Sequence, residues 1–224
     1  MKDCKIAQRE CVQLSKGTVL SKTQYADIAR LIYETDPYIY PVMFGEGEEG
    51  VRCAIRILPA VFEAGKDAMF AKNNLFVLKE GERITGLILW CAGNLSWDTQ
   101  SILKIARQKG GGLNEENTEL VRREYVSSCY EDETRSDCKM LSLINVCVLQ
   151  EMRGTGAGTF LLNHFIKAHT ESPMELTVLS DNAVAIRLYQ KFGFEMIREE
   201  EGFALIPKKP MCFTMQRKPT PKLI

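Results

Sequence analysis

The chain has 224 residues, 45% hydrophobic and 26% charged, enough for a core of its own and for one domain spanning residues 1–224, with room for insertions. Lysine plus arginine and aspartate plus glutamate balance at 29 each, so no general attraction to nucleic acid or to an anionic membrane is expected. No apolar run approaches the roughly 18 residues of a membrane span, and the start Met1-Lys2-Asp3-Cys4-Lys5 lacks the apolar stretch of a signal peptide, which points to the cytoplasm.

An early strand is expected near Val12 to Leu14 or at Val19-Leu20, with its position left open. Ser21-Lys22-Thr23-Gln24 reads as a capping box. The helix it opens carries Tyr25, Ile28, Ala29 and Ile32 on one stripe and stops at Asp36-Pro37, because the residue before proline disfavours the helical region. Asp36 to Pro41 is predicted as an aromatic, proline-stiffened loop. Glu46 to Gly50 reads as an acidic turn, and a helix follows from Val51, interrupted or restarted at Pro59. Leu75 to Lys79 and Arg83 to Cys91 read as strands joined by a hairpin through Glu80-Gly81-Glu82.

Residues 92–139 read as a helical insertion. It holds one helix from about Asp98 to Gln108, a break at Gly110-Gly111-Gly112, and a second helix opening at Asn114 with Glu115 and Glu116 at its favourable end. Gly111 to Lys139 contains eight acids and four bases. The eight cysteines (Cys4, Cys11, Cys53, Cys91, Cys129, Cys138, Cys147 and Cys212) are scattered, without zinc spacing, and are expected to be reduced. His164 and His169 share a helix and have no evident ligand partners, so no metal is expected.

Leu143 to Leu149 is a β-branched, apolar run that reads as a buried strand. Arg153-Gly154-Thr155-Gly156-Ala157-Gly158 follows, and then a helical pattern with Leu161, Leu162, Phe165 and Ile166 near one face. A strand entering a helix through glycines gathers free N–H groups at the positive end of the helix dipole, which is a cradle for phosphate. Glycine suits it because a Cβ would block close approach and bar positive φ. A dinucleotide fingerprint is the rival reading, with Met174 to Leu179 as the next strand and Asp181 at its end. Thr159 stands where its third glycine belongs, and Gln150 to Arg153 intervene between strand and glycines.

Downstream, Asn182 to Lys191 reads as a short helix closed by Gly193. Asn182 and Tyr189 are two turns apart and project from one face. Here the chain resembles the GNAT superfamily of N-acetyltransferases. The acyl-CoA loop of that family, R/Q-x-x-G-x-G/A, is matched by Arg153, Gly156 and Gly158. Its next motif, N-x-x-A-x-x-x-Y-x-K-x-G-F, is matched by Asn182, Ala185, Tyr189, Lys191, Gly193 and Phe194. The match runs from Met140 to about Arg217, with the first 90 residues following only in outline. Glu195 to Arg198 and Met211 to Gln216 would pair as closing strands.

The resemblance implies an α/β (α+β) fold with a mixed, largely antiparallel sheet, and transfer of an acetyl group from acetyl-CoA to a primary amine of a small molecule or protein. It places the CoA pyrophosphate against Arg153, Gly154, Thr155, Gly156, Ala157 and Gly158, and the pantetheine arm beside Val146, Cys147, Val148 and Leu149. Asn182 would hydrogen-bond the pantetheine amide and Tyr189 would protonate the leaving thiolate. A strand N–H near Val146 to Val148 would polarise the thioester. The strand from Leu141 to Val148 offers no general base; Glu175, an acid of the insertion, or water would have to serve. The acidic insertion is either a solvated helical face or a lid that attracts a cationic acceptor. The competing function is a non-catalytic acyl-CoA-binding or sensor module, and then an NAD-binding oxidoreductase. A monomer or homodimer is expected.

Overall fold

The computed structural model describes residues 9–65, 69–92, 98–130, 140–202 and 211–220, the side chains of 124–130 excepted. The first strand, β1 (Arg9–Gln13), overlaps the first of the two expected positions and begins three residues before Val12. It is an edge strand of five residues with no clean alternation of burial, so its apolar period carries little signal. It pairs antiparallel with β2 (Leu75–Glu80), from Arg9 opposite Glu80 to Gln13 opposite Phe76.

Helix α1 (Lys22–Thr35) begins in the expected capping box: Ser21 Oγ accepts from the Gln24 N–H at 3.2 Å and Gln24 Oε1 accepts from the Ser21 N–H at 3.0 Å. Its buried Asp27 accepts from the Arg83 guanidinium at 2.7 to 3.0 Å and from the Ile84 N–H at 3.0 Å, which fastens the helix to the head of β3 (Arg83–Ala92).

The expected loop after Asp36 is instead largely a short helix, α2 (Ile39–Phe44). Asp36 Oδ1 accepts the N–H groups of Tyr38 and Ile39, both at 2.9 Å, and so caps its start. Pro41 falls in the first turn, where a missing N–H costs nothing because that donor has no partner within the helix. The break expected at Pro59 is also absent, since α3 runs unbroken from Gly47 to Ala64. An interior proline costs about 3 kcal/mol, whereas each fully buried Leu, Ile, Val or Phe contributes about 1.5–3 kcal/mol. Val51, Ile57, Leu58, Val61 and Phe62 are all buried along α3, and their packing outweighs one lost hydrogen bond.

Between β3 and β4 (Leu141–Val148) stand α4 (Thr99–Gln108) and α5 (Glu115–Tyr130). They are joined by Thr99 Oγ1 to Glu119 at 3.0 Å and Gln100 Nε2 to Glu115 at 2.9 Å. Asn117 Nδ2 donates to the Val42 carbonyl at 3.1 Å and ties α5 to α2. After β4 come α6 (Ala157–Ala168), β5 (Met174–Leu179), α7 (Ala183–Lys191), β6 (Glu195–Glu201) and β7 (Met211–Arg217). The seven strands lie in the order β1-β2-β3-β4-β5-β7-β6. Among the described strands only β4 and β5 pair in parallel.

The sheet has a core on each face. Residues of α1 to α5 pack on Val77, Leu87, Leu89 and Cys147. On the other face Leu161, Leu162 and Phe165 of α6, with Tyr189 of α7, pack on Ile88, Leu141, Leu143, Leu176 and Met215. The mixed, mostly antiparallel sheet between helices is the expected fold class.

Candidate active site

The glycine loop stands where β4 gives way to α6. A 3-10 turn over Gln150–Met152 leads to Gly154 and Gly156, whose φ angles of 77° and 83° lie in the left-handed region open to glycine. Gly156 caps α6. Among the described residues no acceptor meets the N–H groups of Gly156, Ala157 and Gly158. Three free donors at the positive end of a helix dipole form an anion cradle.

Arg9 is the residue of this loop that sequence reasoning missed. From β1 its Nη2 donates to Thr155 Oγ1 at 2.9 Å, its Nη1 to the Thr155 carbonyl at 3.2 Å, and its Nε to Glu80 at 2.7 Å. Thr155 Oγ1 in turn donates to the Met152 carbonyl at 2.8 Å. A guanidinium, itself paired with Glu80, therefore braces the loop from β1. Nothing local in the sequence links positions 9 and 155.

The second part of the site is a gap in the sheet. Parallel pairing of β4 with β5 covers only Leu141 with Met174 and Ser142 with Glu175, after which the strands part. On its other edge β4 is bulged: Asn145 lies opposite Leu89 and Leu143 opposite Trp90, so Ile144 has no partner. The bulge puts Ile144 and Asn145 on the same face, and the buried Asn145 Oδ1 accepts from Tyr40 of α2 at 2.9 Å. The resulting cleft has a volume of about 160 Å³. Its walls include Leu143 to Val146, Leu176 to Leu179, Asn182 at the cap of α7 and Tyr189 within it, Thr35 at the end of α1, and Asp36 and Pro37 of the loop that follows.

Of the four residues expected beside a pantetheine arm, Val146 lines the cleft, while Leu149 is buried in the core under α1 to α5. Cys147 is buried in the core under α1 to α5, and Val148 packs against the α6 face. Asn182 lines the cleft and also caps α7, its Oδ1 accepting from the Ala185 N–H at 3.1 Å. Tyr189 shares that helix face and is 7% exposed, packed on Phe194. Burial, and secondarily the neighbouring Cys147, push its phenol above the ordinary range, so it stays protonated as a donor. Burial also raises the Asp36 carboxyl, against the opposing effect of the Ile39 and Tyr38 N–H groups.

Among the described residues no three His, Cys, Asp or Glu side chains gather as a metal site. His164 and His169 bond through Nδ1 to the Phe160 and Phe165 carbonyls of their own helix. Cys11, Cys53, Cys91, Cys147 and Cys212 are in no disulfide, and the other three cysteine side chains lie outside the described residues. No described helix is long and apolar enough to cross a membrane.

The strand opening lies beside the anion cradle, and together they leave room for a long ligand with a charged end. Residues 114–196 match the family model described as acetyltransferase (GNAT) domain. That stretch of the chain is similar to a GNAT acetyltransferase domain. Solved structures share its fold. An N-acetyltransferase from Staphylococcus aureus Mu50 is 17% identical with a TM-score of 0.57, over 92% of this chain and 99% of that one. A protein described as histone acetyltransferase HPA2 and related acetyltransferase, from Corynebacterium glutamicum, is 17% identical with a TM-score of 0.59, over 96% and 99%. Ard1 from Thermoplasma volcanium is 12% identical with a TM-score of 0.51, over 95% and 99%. No curated protein matches the chain.

The GNAT match spans α5, β4, the cradle, α6, β5 and α7 and ends within β6, so it contains most of the cleft. The loop of Thr35 to Pro37 lies outside it. A dinucleotide fold would need a parallel sheet, and five of the six strand pairings are antiparallel.

Proposed function

We propose that this protein transfers an acetyl group from acetyl-CoA to a primary amine of a small molecule or protein, by direct attack of the amine. One observation carries the reading: the cleft between β4 and β5 and the free N–H groups at the start of α6 flank the same strand. The residues present suit the cosubstrate. Gly156, Ala157 and Gly158 would take the pyrophosphate on their N–H groups, with Arg153, Gly154 and Thr155 completing the loop. The β4 edge left open after Ser142 would bond the pantetheine amides as an added strand, with Val146 flanking it and Asn182 meeting it from α7. Acetyl-CoA supplies the activated acyl carbon.

A backbone N–H in the bulged stretch Ile144 to Val146 polarises the thioester carbonyl, and one such donor is worth about 3–4 kcal/mol in the transition state. Tyr189 delivers the proton to the sulfur, and burial keeps its phenol protonated and ready to donate.

Isothermal calorimetry with acetyl-CoA and with NAD, and release of free thiol over a panel of amines, test the reading. Acetyl-CoA should bind and at least one amine should release thiol. Tight NAD binding without acetyl-CoA binding would end it, and acetyl-CoA binding without turnover would leave the sensor reading.

A further inference from the structure

The strand that lines the cleft brings no acid and no histidine from Leu141 to Val148, so the group that removes the amine proton comes from elsewhere. Two carboxylates line the cleft, Glu175 on β5 and Asp36 on the loop between α1 and α2. They differ in what already holds them. Glu175 is 5% exposed, accepts from Gln216 Nε2 at 2.7 Å, and stands opposite Ser142 on the last paired rung, before the strands part. Asp36 reaches the cleft from outside the sheet. Its Oδ1 accepts two backbone N–H groups at 2.9 Å, which fixes the carboxylate plane, and its Oδ2 has no partner among the described residues.

We propose that Asp36 is the general base of the acetyl transfer, with Oδ1 anchored on the start of α2 and Oδ2 receiving the proton of the attacking amine. The proposal rests on the transferase reading above. The nitrogen lone pair forms the C–N bond as the C–S bond breaks; one proton passes from nitrogen to Asp36 and one from Tyr189 to sulfur, and exchange with solvent restores both groups. The environment suits the role. Glu175 and Tyr189 share the cleft with Asp36, Glu34 and Tyr38 stand two positions from it in the chain, and Arg153 acts on the nearby Cys147. Burial, rather than any of these, lifts the carboxyl above its usual range and toward the pH at which a base works best.

Asp36→Asn is a clean test, because the asparagine Oδ1 keeps the two backbone hydrogen bonds and only the charge is lost. In the wild type kcat should fall with acid below a midpoint above the ordinary carboxylate range, since the base must be deprotonated. The variant should lose that acid limb and ~10²–10⁴-fold of kcat. Its acetyl-CoA Kd should stay within about twofold and its Tm should not drop, since a desolvated charge has been removed. A carbon-13 titration of the unliganded protein should show one raised carboxyl that vanishes in the variant. An Asp36→Asn enzyme as fast as the wild type overturns the assignment alone, as does loss of the acid limb in Glu175→Gln instead. A wild type that binds acetyl-CoA but acetylates no amine overturns the transferase reading, and this assignment with it.

Discussion

Tyr189 and Arg9 both border the proposed cosubstrate site, and they differ in how they can be read. Tyr189 is picked out by the motif that carries the family resemblance, and its seven-residue spacing from Asn182 puts both on one helix face. Replacing it with phenylalanine removes one hydroxyl from a packed ring. Acetyl-CoA affinity and Tm should hold while turnover falls ~10²–10⁴-fold under conditions where chemistry limits. An unchanged rate would make Tyr189 a packing residue. Arg9 is invisible to spacing, since its three hydrogen bonds to Glu80 and Thr155 exist only once β1 has paired with β2. Arg9→Ala should loosen the loop and weaken acetyl-CoA binding about tenfold, the worth of one charge-assisted hydrogen bond. Calorimetry should show that loss while kcat at saturating acetyl-CoA stays nearly constant; equal affinity would detach Arg9 from the site.

Elements whose start or stop is chemical were legible, and those decided by packing were not. The capping box of α1, its stop at Asp36-Pro37 and the cap of α7 at Asn182 all stand where the residues indicated. The start of α2 was hidden because Asp36, read as the end of one helix, also caps the next. Helix α3 begins earlier than expected for a similar reason. Gly50 looks like part of a turn, yet a Cβ there would stand 1.8 Å from the Gly45 carbonyl oxygen and 2.5 Å from the Tyr33 hydroxyl. Glycine is needed for close approach of the α3 start to Gly45, where Tyr33 also donates to that carbonyl at 2.7 Å. Gly50→Ala should therefore cost about 1–3 kcal/mol or more as overpacking, read as a fall in denaturant midpoint. Gly112→Ala, with open space at its Cβ, should change stability by under about 0.5 kcal/mol. Similar losses at both positions would show that the cost is not steric.

At the scale of the whole molecule, the mixed sheet was implied by motif order and family resemblance, but the cleft depends on where β4 and β5 cease to pair. That is a property of two strands and a bulge together, and neither strand alone carries it. The acidic stretch before β4 allowed two readings, a solvated face or a lid drawing in cationic acceptors. The structure weights them through pairing. Glu119 meets Arg122 and Thr99, and Glu115 meets Gln100, with Arg107 at 3.9 Å, so these two acids mainly join α4 to α5 and part of their charge is offset locally. Screening acts on charge at a distance, so an offset pair contributes little to steering. Changing Glu115, Glu116 and Glu119 together to Gln should then loosen the helix pair by about 1 kcal/mol, since exposed pairs are worth about 0–1 kcal/mol each. For a chain of this size that is a fall of about 2–4 °C in Tm. The ratio of KM for a polyamine to KM for a monoamine should rise with salt no differently in the variant than in the wild type. A triple variant that keeps its Tm but raises the polyamine KM at low salt, leaving the monoamine unaffected, would instead make this stretch a steering lid.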